Sequence, residues 1–178
     1  FRSLTTMALI LFALGDESRV DQFVFGEFWS NANMKRIGIK RYERLGDLQG
    51  SSLLQTEKSL RMAADYLNRL CAEQNILYCE LRCSPYNCTE AGLSAKAVTH
   101  LLAEELGKST STRFKLILIA SRHGKVSRIS QHIELAQEIK KSNEDFYRQN
   151  IAGFDLAGAE NQRSPAELRS FFRPLMES

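Results

Sequence analysis

This sequence has none of the short motifs that announce a chemistry by themselves. It contains no G-x-G-x-x-G and no Walker A loop, so neither dinucleotide nor P-loop binding is signalled. There is no H-E-x-x-H zinc pair and no G-x-S-x-G nucleophile elbow. The four cysteines, Cys71, Cys79, Cys83 and Cys88, form no C-x-x-C pair. They read as reduced thiols packed in and beside a strand, which suggests the cytoplasm. No apolar run approaches the 20 or so residues of a membrane span. "MALILFAL", Met7 to Leu14, is too short, and "GDESR" follows it where a signal peptide would place small residues. It reads as a core helix. Charge of one sign is also scarce: a net +3 with 24 scattered basic residues makes a weak case for RNA or an anionic membrane.

What remains is a globular composition, 43% hydrophobic and 25% charged over 178 residues, about one domain's worth of chain. The first residue is not Met, and Ser178 follows closely on a helix signal, so a piece of a longer protein is expected. Residues 1–50 are the least legible and read as a helical or loop region. Phe23, Phe25, Phe28 and Trp29 form an aromatic cluster there, core or the lining for a flat ring.

From 51 to 178 the pattern is regular. Leu53, Leu60, Ala64, Leu67 and Cys71 share a helical face. "ILYCELR", Ile76 to Arg82, predicts a strand that Ser84-Pro85 stops. Ser94 caps a helix burying Val98, Leu101, Leu102 and Leu106. "KLILIASR", Lys115 to Arg122, predicts a second strand covered on both faces. Val126, Ile129, Ile133, Ala136 and Ile139 mark the next helix. "NIAGFDLAGAEN", at 150–161, holds a third strand, and Ser164-Pro165-Ala166-Glu167 is a capping box for a helix with Leu168, Phe171 and Phe172 on its apolar stripe. The order helix, strand, helix, strand, helix, strand, helix means a parallel α/β sheet. A (β/α)₈ TIM barrel and a doubly wound open sheet both fit. A barrel needs about 250 residues, so this chain would supply part of one. The missing glycine-rich phosphate loop favours the barrel.

Each strand ends in charge. Glu80 and Arg82 are two apart and share a face, with Leu77, Cys79 and Leu81 on the other, toward the helices. The second strand ends in Arg122-His123 and the third in Asp155, with Gly158 and Glu160 beyond. Parallel α/β proteins bind ligands at the carboxyl ends of their strands, where these charges stand. A purely structural reading is equally open, Arg82 or Arg122 pairing with Asp155. Gly158 would let a ligand approach the backbone. His100 and His132 fall in helices, expected at the surface or half-buried; His123 sits at a strand end. They offer no convincing zinc set, which usually takes three protein ligands.

"ILYCELRCSP" at 76–85, "LILIASRH" at 116–123 and "IAGFDLAGAE" at 151–160 resemble, in order and separation, three successive strand-end motifs of the zinc-dependent adenosine deaminase family. The resemblance covers about residues 50 to 178. "GDLQGSSLLQ" and "ELRCSPYNCT" also resemble the long bacterial deaminases of anti-phage defence. The resemblance implies a (β/α)₈ barrel with this chain giving about strands two to four. It implies that the glycine matching Gly158 donates its N–H to the purine ring, that the acid matching Asp155 lies beneath the site, and that Arg122 supports it. Glu80, Arg82 and Ser84 match the second strand's signature and hold the barrel mouth; His123 and Glu160 stand beside them in support. The family's zinc ligands map before Phe1 and after Ser178, so zinc is expected as the cofactor without a ligand from this chain. Ala159 departs from the polar residue usual there. The implied reaction is deamination of adenosine or a related 6-aminopurine to the inosine form, with this piece recognising the purine and inactive alone. Its partners would be that purine, the remainder of the barrel and further copies in a homo-oligomer. The alternatives are a metal-free scaffold on the same fold and a doubly wound nucleotide-binding module.

Overall fold

The computed structural model describes residues 51–122, 127–158 and 164–176. The readings made for residues 1–50, for Val126, for His123 and for Glu160 lie outside the described residues.

Thr56 begins the first helix by a reciprocal cap. Its Oγ1 accepts from the Ser59 amide and the Ser59 Oγ accepts from the Thr56 amide, both at 3.2 Å. Helix α1 (Glu57–Glu73) buries Leu60, Ala64 and Cys71. Leu53 is buried too, but in a separate 3₁₀ turn, Ser51–Leu53, so the apolar stripe crosses two elements. The chain leaves α1 through Asn75, in the left-handed region at φ 56°, a conformation asparagine tolerates better than most. The Ile76 amide then donates to the Cys71 carbonyl at 2.9 Å.

Strand β1 (Tyr78–Cys83) starts later than Ile76, and this corrects the expectation for Leu77. Leu77 precedes the first rung of the sheet and is 76% exposed, so it does not face the helices. A 3₁₀ turn, Pro85–Cys88, ends the strand as the proline requires. Helix α2 (Ala95–Leu106) is capped by Ser94, whose Oγ accepts from the Ala97 amide at 3.1 Å. Strand β2 (Arg113–Ser121) and helix α3 (Ser127–Ser142) follow. A short helix, α4 (Glu144–Asn150), was not expected. It has two apolar side chains, Phe146 and Tyr147, too few to show a period, and it forms on the Asn143 cap, which accepts from the Phe146 amide at 2.9 Å. Strand β3 (Ile151–Ala157) and helix α5 (Pro165–Met176) complete the order. The α5 capping box forms as read: Glu167 Oε2 accepts from the Ser164 amide at 2.7 Å, and Ser164 Oγ accepts from the Glu167 amide at 3.3 Å.

The strands lie in the order β1-β2-β3, both pairs parallel. Leu116, Leu118 and Ala120 of β2 point to one side. There Leu60, Ala64, Val98, Leu102 and Leu106 of α1 and α2 form one core with the two leucines. Ala120 packs with Ile129, Ile133 and Leu168, and Phe154 meets Phe172 edge-on at 5.7 Å. On the other side the register sets Arg82 beside Ile117 and Asp155 beside Ile119. Ile117 and Ile119 are only half-buried, so the second strand is not sealed on both faces as its apolar run suggested. Parallel βα units whose two faces differ this way suit a segment of a (β/α)₈ barrel, in which one face of the sheet meets helices and the other faces the barrel interior. Among the described residues no helix is long and apolar enough to cross a membrane.

Candidate functional site

The carboxyl ends of the three strands bring most of the marked residues to one edge of the sheet. Arg82 on β1 forms an ion pair with Asp155 on β3, through its Nη2 and the carboxylate Oδ2. The pair reaches across β2, roughly 9–10 Å for two strand spacings, over the side occupied by Ile117 and Ile119. Asp155 Oδ1 accepts from the Leu156 amide at 2.7 Å, so both carboxylate oxygens are held. The two side chains are 53% and 37% exposed. At that exposure an ion pair adds about 0–1 kcal/mol to stability, so its orientation matters more than its strength. Of the two arginines considered for Asp155, the structure selects Arg82.

Arg122 follows the last residue of β2. Its amide donates to the Ala157 carbonyl at 2.8 Å and fastens the ends of β2 and β3 together, while its Nε is buried. Gly158 stands immediately after β3 with φ 116°, a conformation that disfavours any side chain. Its identity is therefore fixed by the backbone, and its surface is open to solvent. Glu80 does not join the group. It lies one pleat back on β1 and accepts from the Tyr78 hydroxyl at 2.8 Å, which raises the Tyr78 pKa above its ordinary range.

Ser84 turns away from the edge. Its Oγ lies 3.0 Å from Nε2 of His132 on α3. The expectation for His132 is corrected here: it is 3% exposed, enclosed because Ser84 and the edge-on ring of Tyr86 at 4.7 Å cover it. Nothing in the sequence signals this contact, since the partners are 48 positions apart. His100 is half-buried as expected, stacked on Phe146 at 4.0 Å, and burial followed by the nearby Lys96 charge lowers its pKa.

These residues do not fit a zinc site. Among the described residues no group of three or more His, Cys, Asp or Glu stands where it could hold a metal ion. Asp155 is committed to Arg82, and His132 to Ser84. All four thiols are free. Burial pushes Cys83 up to about 12 and Cys88 up to about 11, so both rest as neutral thiols.

A groove of about 530 Å³ opens at the opposite end of the strands, beside Leu77, Thr110, Arg113, Phe114 and Asn150. Part of its polar lining is spent within the chain: Thr112 Oγ1 donates to the Ile76 carbonyl at 2.7 Å and Asn150 Nδ2 to the Phe146 carbonyl at 2.9 Å. The charged, conformationally fixed residues gather instead at the carboxyl edge, where ligands of parallel α/β proteins bind.

The comparisons with known proteins bear on the family and the fold. The adenosine deaminase family model matches residues 27–177. An adenosine deaminase of Streptococcus mutans is 29% identical over 124 residues, which are 68% of this chain and 34% of that enzyme. The Arabidopsis ADAL structure complexed with IMP superposes with a TM-score of 0.73 at 17% identity, covering 97% of this chain and 51% of that one. A Burkholderia ambifaria amidohydrolase with bound Zn superposes at 0.57 and 19% identity, over 76% of this chain and 36% of its own. At such identities the structures speak for the fold: parallel α/β, similar to part of the barrel-type deaminases. This chain spans about a third of the Streptococcus enzyme and half of the Arabidopsis one. The family model covers residues 27–177, well over half of the sequence, and the chain belongs to the adenosine deaminase family.

Proposed function

We propose that this chain is the purine-binding portion of a hydrolase that deaminates adenosine, or a related 6-aminopurine, to the inosine form. The observation that carries the proposal is the pairing of a doubly held carboxylate, Asp155, with a glycine of φ 116° three residues on, both at the carboxyl edge. Such an arrangement suits a flat purine ring: a backbone without a Cβ lets the ring's edge approach closely, beside a carboxylate that is held in place. Arg82 and Arg122 hold the floor, Arg82 through Asp155 and Arg122 through the β2–β3 tie. The reaction adds water at C6 and releases ammonia. The residues of this chain bind and orient; the zinc implied by the family finds no ligand set among the described ones. The Arabidopsis neighbour is complexed with IMP, which supports counting 5′-monophosphates beside nucleosides in the proposed substrate class. Four free thiols accord with a reducing compartment, and the cytoplasm, homo-oligomeric assembly and a part in anti-phage defence belong to the same proposal.

The test is Asp155→Asn and Gly158→Val in the full-length protein. Asp155→Asn should lower kcat/KM for the 6-aminopurine about a hundredfold while moving stability by no more than an exposed ion pair is worth, about 1 kcal/mol. Gly158→Val strains the backbone at this φ, so its loss of activity counts only alongside a measured unfolding midpoint. Unchanged kinetics in both variants would exclude the carboxyl edge as the purine site.

A further inference from the structure

Ser84 stands where it would cap the Pro85–Cys88 turn, and it makes no capping hydrogen bond. Serine at such a position ordinarily turns its hydroxyl onto a backbone amide of the turn. Here the hydroxyl is spent on His132 Nε2, 3.0 Å away on α3. His132 in turn is 3% exposed, and a buried imidazole needs such a partner. Tyr86 closes over the ring edge-on at 4.7 Å and 64°, and its hydroxyl donates to the carbonyl of Gln131, the neighbour of His132, at 3.2 Å. Pro85, between Ser84 and Tyr86, is fully buried. The turn after β1 is thus fastened to α3 at two adjacent points, at the expense of its own cap.

Two residues before Ser84, Arg82 leaves the same strand and reaches Asp155 on β3. The end of β1 therefore has its direction set by α3 on one side and delivers a guanidinium to the proposed purine floor on the other. We infer that the Ser84–His132 hydrogen bond is a positioning device for purine binding: it fixes where β1 ends and so where Arg82 holds the Asp155 carboxylate. His132 is a positioning residue and touches no substrate. The inference rests on the deaminase reading of the carboxyl edge.

The experiment uses the full-length protein, with inosine and IMP as binding probes, adenosine and AMP as substrates, and urea unfolding in parallel. The variants are Ser84→Ala, Ser84→Thr, His132→Phe and the double Ser84→Ala/His132→Phe. Ser84→Ala is expected to weaken inosine or IMP binding and raise KM about tenfold, with kcat within twofold and an unfolding midpoint lowered only modestly, as one lost buried hydrogen bond requires. Ser84→Thr, which keeps the hydroxyl, is expected to restore binding to within twofold of wild type. The double variant is expected to bind no worse than the poorer single one, because one hydrogen bond is lost only once. If His132→Phe does not fold, the two Ser84 variants decide the matter. Wild-type binding by Ser84→Ala would overturn the inference and leave the deaminase reading standing. So would a loss that tracks the unfolding midpoint and is not restored by threonine. A wild-type protein that binds neither probe and converts neither substrate would overturn both.

Discussion

On β2, Leu116, Leu118 and Ala120 point toward the helices and are 1%, 0% and 0% exposed, whereas Ile117 and Ile119 between them stay half-buried beside Arg82 and Asp155. One strand serves two unlike surroundings at a period of two. Side chains on the helix side are spent on each other and hold the fold. Those on the other side are spent on polar partners: Arg82 on Asp155 across β2, Glu80 on Tyr78 along β1, and Lys115 Nζ on the Arg148 carbonyl of α4 at 2.9 Å. The difference separates stability from recognition within a single sheet. Substitutions on the first face should unfold the protein, and substitutions on the second should leave it folded and impaired.

The strongest challenge to that separation is Leu118→Ala against Ile119→Ala. Removing the fully buried Leu118 side chain should lower the unfolding free energy by about 3 kcal/mol in urea titration, and the half-buried Ile119 by less than half of that. Equal losses would show that both faces carry the core. Next comes Asp155→Asn, for which the expected hundredfold loss in kcat/KM, about 2.7 kcal/mol, should appear without a matching loss of stability. A variant that unfolds and fails together would put Asp155 on the structural side. Ser164→Ala, removing the cap of α5, should cost about 1 kcal/mol of stability and leave purine affinity alone, since its partners are the Glu167 carboxylate and amide.

The smallest effect concerns the thiols. Burial holds Cys83 up to about 12, above its ordinary 9.0. A raised folded pKa favours the native state below the unfolded value. That contribution is complete below pH 9.0 and is lost as pH climbs from there toward about 12. Alkylation of the folded protein at pH 8 should accordingly leave Cys83 and Cys88 unmodified, and mass spectrometry would show it. Rapid labelling of Cys83 would mean that the helix side of β1 opens to water.

The features legible in the sequence were those whose cause is local. Ser94 and the Ser164–Glu167 box name their helices because a cap and its amide are three residues apart. The three strands are read from apolar runs, and their order from the βα repeat. Leu77 was misplaced because an apolar residue beside a strand looks like a strand residue until the first rung, Tyr78 opposite Arg113, is known. Helix α4 escaped because seven residues do not establish a period. Within the candidate site, the charges at strand ends were visible, but the choice of Arg82 over Arg122 for Asp155 was not: it depends on register between strands 73 positions apart. The Ser84–His132 tie was out of reach for the same reason. Local rules would have spent Ser84 on its own turn.

The central claim is that the carboxyl edge of this sheet holds a 6-aminopurine for deamination. It is tested most directly by following ammonia and 6-oxopurine release from adenosine and from AMP, side by side in the full-length wild-type protein and in Asp155→Asn. The account predicts equimolar ammonia and inosine or IMP from wild type, and a rate about a hundredfold lower from a variant with an unchanged unfolding curve. Asp155→Asn turning over at the wild-type rate would contradict it.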